Sequence, residues 1–250
     1  MRKRIAGTCA FYKMDEVRLQ DILNIEGDVV DKHLFLNGGG PPFTRGLARR
    51  FVSTMAAATQ PVAVLFEEGE DWPDYMAACM QPLADAGIAE FCYLPLKSTE
   101  VNTAIECLRA CGGIIIGGGD TDLYADLIVD TPIGEVIRQR YESGIPVAGF
   151  SAGALISPER CVISAKDNES RQFKHRKGLN LIPDLLLSVH FTQWDEEEHL
   201  RTAVRTLGEL PNYGIDEETG IYLLNGQPEE IEGGGVYSLV NGILTTIHPG

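Results

Sequence analysis

Five short apolar runs return along the first 150 positions, and each is followed by a turn or a helix-like stretch. They are His33–Leu36 (HLFL), Pro61–Phe66 (PVAVLF), Glu90–Leu96 (EFCYLPL), Gly112–Gly119 (GGIIIGGG) and Ile145–Phe150 (IPVAGF). Unbroken runs of this length mark strands buried on both faces. Helix-like segments separate the later ones, around Asp74–Ala86, Glu100–Ala110 and Leu123–Ser143. That alternation builds βαβ units, and right-handed crossovers then give a mostly parallel sheet with helices on both faces. The predicted fold class is a doubly wound three-layer α/β/α sandwich.

The pattern changes after Tyr213. Asn225-Gly226 and Asn241-Gly242 are hairpin turns flanked by short alternating runs. Residues 213–250 therefore read as an antiparallel hairpin extension of the same sheet. At 250 residues, with 44% hydrophobic and 23% charged residues, the chain suits one domain. Residues 1–30 read as a cover segment.

The net charge of −15 argues against nucleic acid or an anionic membrane as a partner. No run is long enough to span a bilayer, and the apolar stretch after Arg2-Lys3-Arg4 is too short for a signal peptide. Cys9, Cys79, Cys92, Cys107, Cys111 and Cys161 form no CxxC pair. They read as reduced thiols of a cytoplasmic protein.

Sites in open α/β sheets form at the carboxyl ends of strands. Two candidates lie there. Gly149-Phe150-Ser151-Ala152-Gly153 fits G-x-S-x-G, in which a serine on a strained strand-to-helix turn projects its hydroxyl. The next N–H, that of Ala152, is placed to hold an oxyanion. Gly117-Gly118-Gly119 follows a buried strand and lets a ligand approach the backbone. Gly118, Asp120 and Thr121 are candidate substrate-binding residues, although Asp120 and Thr121 equally suit a helix cap.

A serine nucleophile needs a base and an acid. His190 ends the run Leu181–Phe191 and so falls at the same edge; a structural histidine is the alternative. His199 sits in an acidic amphipathic segment and reads as solvated. Asp167 and Glu169 follow the strand-like Cys161–Ala165 and are both candidates for the acid. Arg171, Lys174, His175, Arg176 and Lys177 form a basic cluster that suits either an acidic ligand or a solvated loop.

Four features occur in order: Gly117-Gly118-Gly119, Ser151-Ala152-Gly153-Ala154, His190-Phe191 and Gly214-Ile215-Asp216-Glu217-Glu218-Thr219. In these the chain, from about residue 61 to 221, resembles the serine peptidases of the dipeptidase E and cyanophycinase family, relatives of class I glutamine amidotransferases. The resemblance implies a flavodoxin-like three-layer α/β/α sandwich and a Ser-His-acid hydrolase without metal or cofactor, acting on small peptides or aspartyl-type amide bonds. Ser151 would be the nucleophile and His190 the base, with the N–H groups of Gly119 and Ala152 as the oxyanion hole. Ungapped counting from the serine favours Glu169 as the acid, and one insertion favours Asp167. The chain departs from the family at Asp120, where asparagine is usual, which adds a negative charge. A small peptide is the expected partner, and a homodimer the expected assembly. A non-catalytic, ligand-binding member of the same superfold is the competing reading. A glutamine amidotransferase would need cysteine at position 151.

Overall fold

The computed structural model describes residues 30–40 and 42–250. The predicted cover segment falls on residues 1–29 and lies outside them. Residues 31–250 form one compact unit. Its first strands are β1 (His33–Asn37), β2 (Val62–Phe66), β3 (Phe91–Pro95), β4 (Gly113–Ile116) and β5 (Val147–Phe150). The helices among them are α1 (Arg45–Thr54), α2 (Trp72–Asp85), α3 (Val101–Ala110), the single turn α4 (Thr121–Tyr124), which runs into a π-helical turn at Ala125–Val129, and α5 (Pro132–Glu142). Beyond β5 come α6 (Ala152–Leu155), β6 (Arg160–Ile163), β7 (Lys174–Lys177), β8 (Leu186–Val189), α7 (Glu197–Leu207) and β9 (Asn212–Ile215). The chain then forms β10 (Gly220–Leu224), β11 (Gln227–Glu232), β12 (Val236–Val240) and β13 (Ile243–His248).

The five apolar runs of the sequence are the five parallel strands of a seven-stranded sheet, ordered β11-β10-β1-β5-β4-β2-β3. Every residue of β2 and β4 is buried, because helices cover both faces. The period of two decides what each face meets. Leu34, Leu36, Ile114 and Ile116 point to the side of α3 and α5. Phe35, Val64, Phe66 and Ile115 point to the side of α1 and α2. The predicted sandwich is present.

The C-terminal extension divides, which corrects the expectation of one continuous addition. β10 and β11 join the main sheet antiparallel at β1. β12 and β13 instead join β9 and β8 in a second, four-stranded sheet. β8 and β9 are parallel to each other. Their inward residues Leu187, Val189 and Ile215 share the core of the α3–α5 face, so the second sheet lies over the main one. β6 and β7 form a separate two-stranded ribbon.

Cysteine usage also departs from the sequence reading. Cys92 of β3 and Cys107 of α3 are joined as a disulfide, while Cys79, Cys111 and Cys161 are free and buried. Among the described residues no helix is long and apolar enough to cross a membrane.

Candidate active site

Ser151 follows β5 directly, with φ +48° and ψ −112°. A non-glycine residue adopts positive φ only when its surroundings hold it there. Here the Ser151 amide donates to the Asn37 carbonyl at 3.0 Å, and the Gly153 amide donates to the Gly117 carbonyl at 3.0 Å. The flanking glycines are required by packing. A Cβ on Gly153 would overlap the carbonyl of Ile116, and one on Gly149 would overlap the backbone of Gly153. This is the physical content of G-x-S-x-G: the turn from β5 into α6 is too tight for side chains beside the serine.

His190 follows β8 in the second sheet and also has positive φ, +49°. Its Nε2 lies 2.8 Å from Ser151 Oγ. Trp194 stacks on the imidazole, with ring centres 4.1 Å apart and planes 10° from parallel. The ring is held from the other sheet as well. The His190 amide donates to the Gly38 carbonyl at 2.9 Å, and a Cβ on Gly39 would overlap the imidazole. The turn Asn37–Gly40 thus reaches the site from the end of β1. It also receives the Glu218 amide on the Gly39 carbonyl and donates the Gly38 amide to the Thr219 carbonyl. These bonds fasten the loops of the second sheet to the edge of the first.

Neither acid predicted from the sequence reaches His190. Asp167 accepts a hydrogen bond from Thr121 Oγ1 at 2.7 Å, and Glu169 is exposed on the surface. The carboxylate on His190 belongs to Glu217, whose Oε1 lies 2.7 Å from Nδ1. Glu217 follows β9, which pairs in parallel with β8, so His190 and Glu217 leave adjacent strands at the same edge. Asp216 beside it is structural: its carboxylate accepts the amides of Thr192 at 2.9 Å and Gly235 at 3.2 Å. The signal for Glu217 was in the sequence. It lies inside the Gly214–Thr219 stretch, at a strand end, but no spacing from Ser151 pointed to it.

Asp167 still belongs to the neighbourhood. Burial, with Asp120 nearby, pushes its pKa up to about 6. The glycine loop lies alongside Ser151, with Gly118 against its side chain. Tyr124 holds this loop by donating its hydroxyl to the Gly118 carbonyl at 2.7 Å, while accepting the Glu67 amide. Asp120 donates its amide to Glu67 Oε2 at 3.0 Å and uses its own carboxylate to cap α4 through the Leu123 amide. Its side chain serves the fold of the loop. Thr121 is fully buried and bound to Asp167. The amides of Gly119 and Ala152 have no acceptor among the described residues, which leaves both available to a ligand oxygen beside Ser151.

Of the basic cluster, Lys174 and Arg176 are taken up by ion pairs. Lys174 meets Asp122 at 2.9 Å, and Arg176 spans Asp122, Asp126 and Asp130 at 3.1, 2.6 and 2.9 Å. These clamp the β6–β7 ribbon to α4 and the π turn. His199 is also corrected. It packs against Phe173, and burial lowers its pKa to about 4, because α7 turns that face inward.

A serine in a strained turn, a histidine on its hydroxyl and a carboxylate on the second histidine nitrogen now stand in one line at the carboxyl edge of two sheets. The model of peptidase family S51 matches residues 59–231, a span that includes all three. The chain belongs to peptidase family S51. Among curated relatives it is 28% identical over 185 residues to the cyanophycinase of Trichormus variabilis, which covers 70% of this chain and 57% of that protein. It is 30% identical over 141 residues to the cyanophycinase of Geminocystis herdmanii, covering 55% and 52%. The chain thus spans little more than half the length of these relatives. Among solved structures it is similar to a peptidase from an acI-B1 actinobacterium, with a TM-score of 0.67, 21% identity and coverage of 89% and 96%. A putative peptidase E protein from Listeria monocytogenes gives 0.61, 18%, 88% and 100%. At such identities the two structures support the fold.

Proposed function

We propose that this S51 member is a serine hydrolase of small peptides that works through Ser151, His190 and Glu217. The supporting observation is the hydrogen-bonded line Ser151 Oγ–His190 Nε2 at 2.8 Å and His190 Nδ1–Glu217 Oε1 at 2.7 Å. Glu217 holds the tautomer that leaves Nε2 free to accept a proton. His190 takes the Ser151 proton as Oγ attacks the carbonyl carbon, and the carbonyl oxygen, now negative, is met by the Gly119 and Ala152 amides. His190 then gives the proton to the leaving amine. Water, deprotonated by His190, releases the acyl group by the reverse path.

The cyanophycinase and peptidase E names of its relatives are the ground for placing the substrate among peptides and related amides, aspartyl-type bonds included. A cytoplasmic setting is part of the proposal. The test is labelling with a fluorophosphonate probe followed by peptide mapping. Ser151 is expected to carry the label, and Ser151→Ala to lose both label and peptide hydrolysis with its thermal unfolding unchanged. A folded protein that takes no label at any pH would instead be a ligand-binding member of the superfold.

A further inference from the structure

The imidazole of His190 is covered on one face by the indole of Trp194, with ring centres 4.1 Å apart and planes 10° from parallel. Among the described residues no other aromatic pair is as close; the next, Phe35–Tyr222, is at 4.7 Å. Two neutral rings repel face to face and settle offset or edge-on, with centres about 4.5–7 Å apart. A cation over an indole is attracted instead, because the face of the ring is negative. A stack this close and this flat suits an imidazolium better than a neutral imidazole.

A tight turn brings the indole there. The Trp194 amide donates to the His190 carbonyl at 2.8 Å, and the Glu196 amide to the Phe191 carbonyl at 2.9 Å. From the loop after β6, the Lys166 ammonium donates to the carbonyl of Trp194 and, at 2.8 Å, to that of Asp195. Buried Glu196 accepts from Ser164 Oγ at 2.8 Å. The segment is thus fixed from two sides, and Trp194 is half-buried. In the plane of the imidazole, Nε2 and Nδ1 are taken by Ser151 and Glu217. The ring face is the remaining place from which the protein can act on its charge. The His190 side chain is only 12% exposed, so little water competes there.

We propose that Trp194 is a positioning residue of the hydrolase that acts through His190: its ring face stabilises the imidazolium formed when His190 takes the Ser151 proton. The proposal rests on the hydrolase reading above. His190 is neutral before attack and charged after it. The attraction is therefore gained mostly in the transition state, and it shows in the rate rather than in substrate binding. It adds to that of the Glu217 carboxylate, which acts in the plane of the ring. An apolar cover without a π face would exclude water from the imidazole and supply no such attraction, so leucine at position 194 separates the two effects.

The test is single-turnover acylation by p-nitrophenyl acetate across pH. The Ser151 Oγ–acyl carbon bond forms, the bond to nitrophenolate breaks, and the Ser151 proton passes to His190. Trp194→Leu is expected to lower the plateau rate roughly 5- to 30-fold and to leave the half-saturating ester concentration within about twofold. The acid limb of its pH profile should move to lower pH, because an imidazolium without the indole gives up its proton more readily. The other charged groups around the stack are the same in both proteins. They are Asp216 and Glu217 after β9, Lys166 and Asp167 after β6, and Asp195 and Glu196 beside Trp194; the Asn37–Gly40 turn carries none. Trp194→Phe keeps a smaller π face and should hold the rate within about threefold of native. Growth on mono- and difluorotryptophan draws electron density from the indole face with little change of shape. The rate should fall with each fluorine in the native sequence and stay constant in Trp194→Phe, where Trp72 is the one tryptophan left. This arm decides the matter if Trp194→Leu does not fold. A native rate in Trp194→Leu, an acid limb that stays in place or moves to higher pH, or a rate indifferent to fluorination would each overturn the role of Trp194 while Ser151 still reacts. Nitrophenolate release that Ser151→Ala leaves intact would overturn the hydrolase reading itself, and the role of Trp194 with it.

Discussion

Replacing Glu217 by glutamine removes one charge from the line of three residues and leaves its shape. Glutamine can still turn its carbonyl oxygen to the Nδ1–H of His190, so the useful tautomer is retained. What is lost is the attraction between the carboxylate and the imidazolium that forms when His190 takes the Ser151 proton. At the 2.7 Å separation seen here, two unit charges attract by about 1.5 kcal/mol at the dielectric of water and about 3 kcal/mol at half that value. The Glu217 side chain is 38% exposed and the His190 side chain 12%, so solvent screens the pair and the interior dielectric does not apply. The expected loss in the acylation rate is therefore about 10- to 150-fold. That is well below the ~10⁴-fold cost of disabling a buried triad aspartate whose replacement traps the wrong tautomer. The assay is the single-turnover rate of nitrophenolate release, with Asp167→Asn and Glu169→Gln run in parallel. Those two should stay within about threefold of the native rate, since neither carboxylate meets His190. If Glu217→Gln matches the native protein while either of the others slows acylation more than tenfold, the geometric assignment of the acid is wrong.

Gly39→Ala, with φ at +124° and a Cβ that would overlap the imidazole, should cost roughly hundredfold in Ser151 labelling by displacing His190; labelling at the native rate would sink the idea. Asp167 has a folded pKa near 6 against a reference of 3.8. Its carboxyl therefore favours the folded state most below about pH 4, and that contribution is lost as pH rises through 6. Asp167→Asn should accordingly raise the melting temperature at pH 8 and show no gain at pH 4, and the opposite order in thermal scans would refute the burial argument. Arg176→Ala should destabilise by about 1 kcal/mol, a modest figure because its three aspartate partners are partly exposed. Urea unfolding should show that loss shrinking at high salt.

The parallel sheet was legible because its signal is local. A strand covered on both faces has to be apolar throughout, and β2, β4 and β5 are buried throughout. The serine was legible for a related reason: the overlaps at Gly149 and Gly153 involve backbone a few residues away or on the adjoining strand β4. The acid was not. Glu217 is 66 positions from Ser151 and 27 from His190, and it meets the histidine only because β8 and β9 lie side by side in a second sheet. Asp167 and Glu169 were nearer in sequence, yet their loop after β6 directs one to Thr121 and the other to the surface. The two Asn-Gly hairpins were equally plain as turns, but an Asn-Gly pair fixes only how two strands join. It does not say which sheet the pair enters, and the two hairpins entered different ones.

By itself, then, the sequence determined the central parallel sheet, the strained serine turn and the strand-end histidine. Burial on both faces and steric crowding in a turn act over a few residues and leave their mark in residue type. Only the tertiary structure decided which carboxylate stands on His190, that the Asn37–Gly40 turn carries the histidine backbone, and that Lys174 and Arg176 of the basic cluster are spent on aspartates of α4 and the π turn. Those outcomes depend on where distant strands and loops are brought together, and many residue orders can satisfy the same contact.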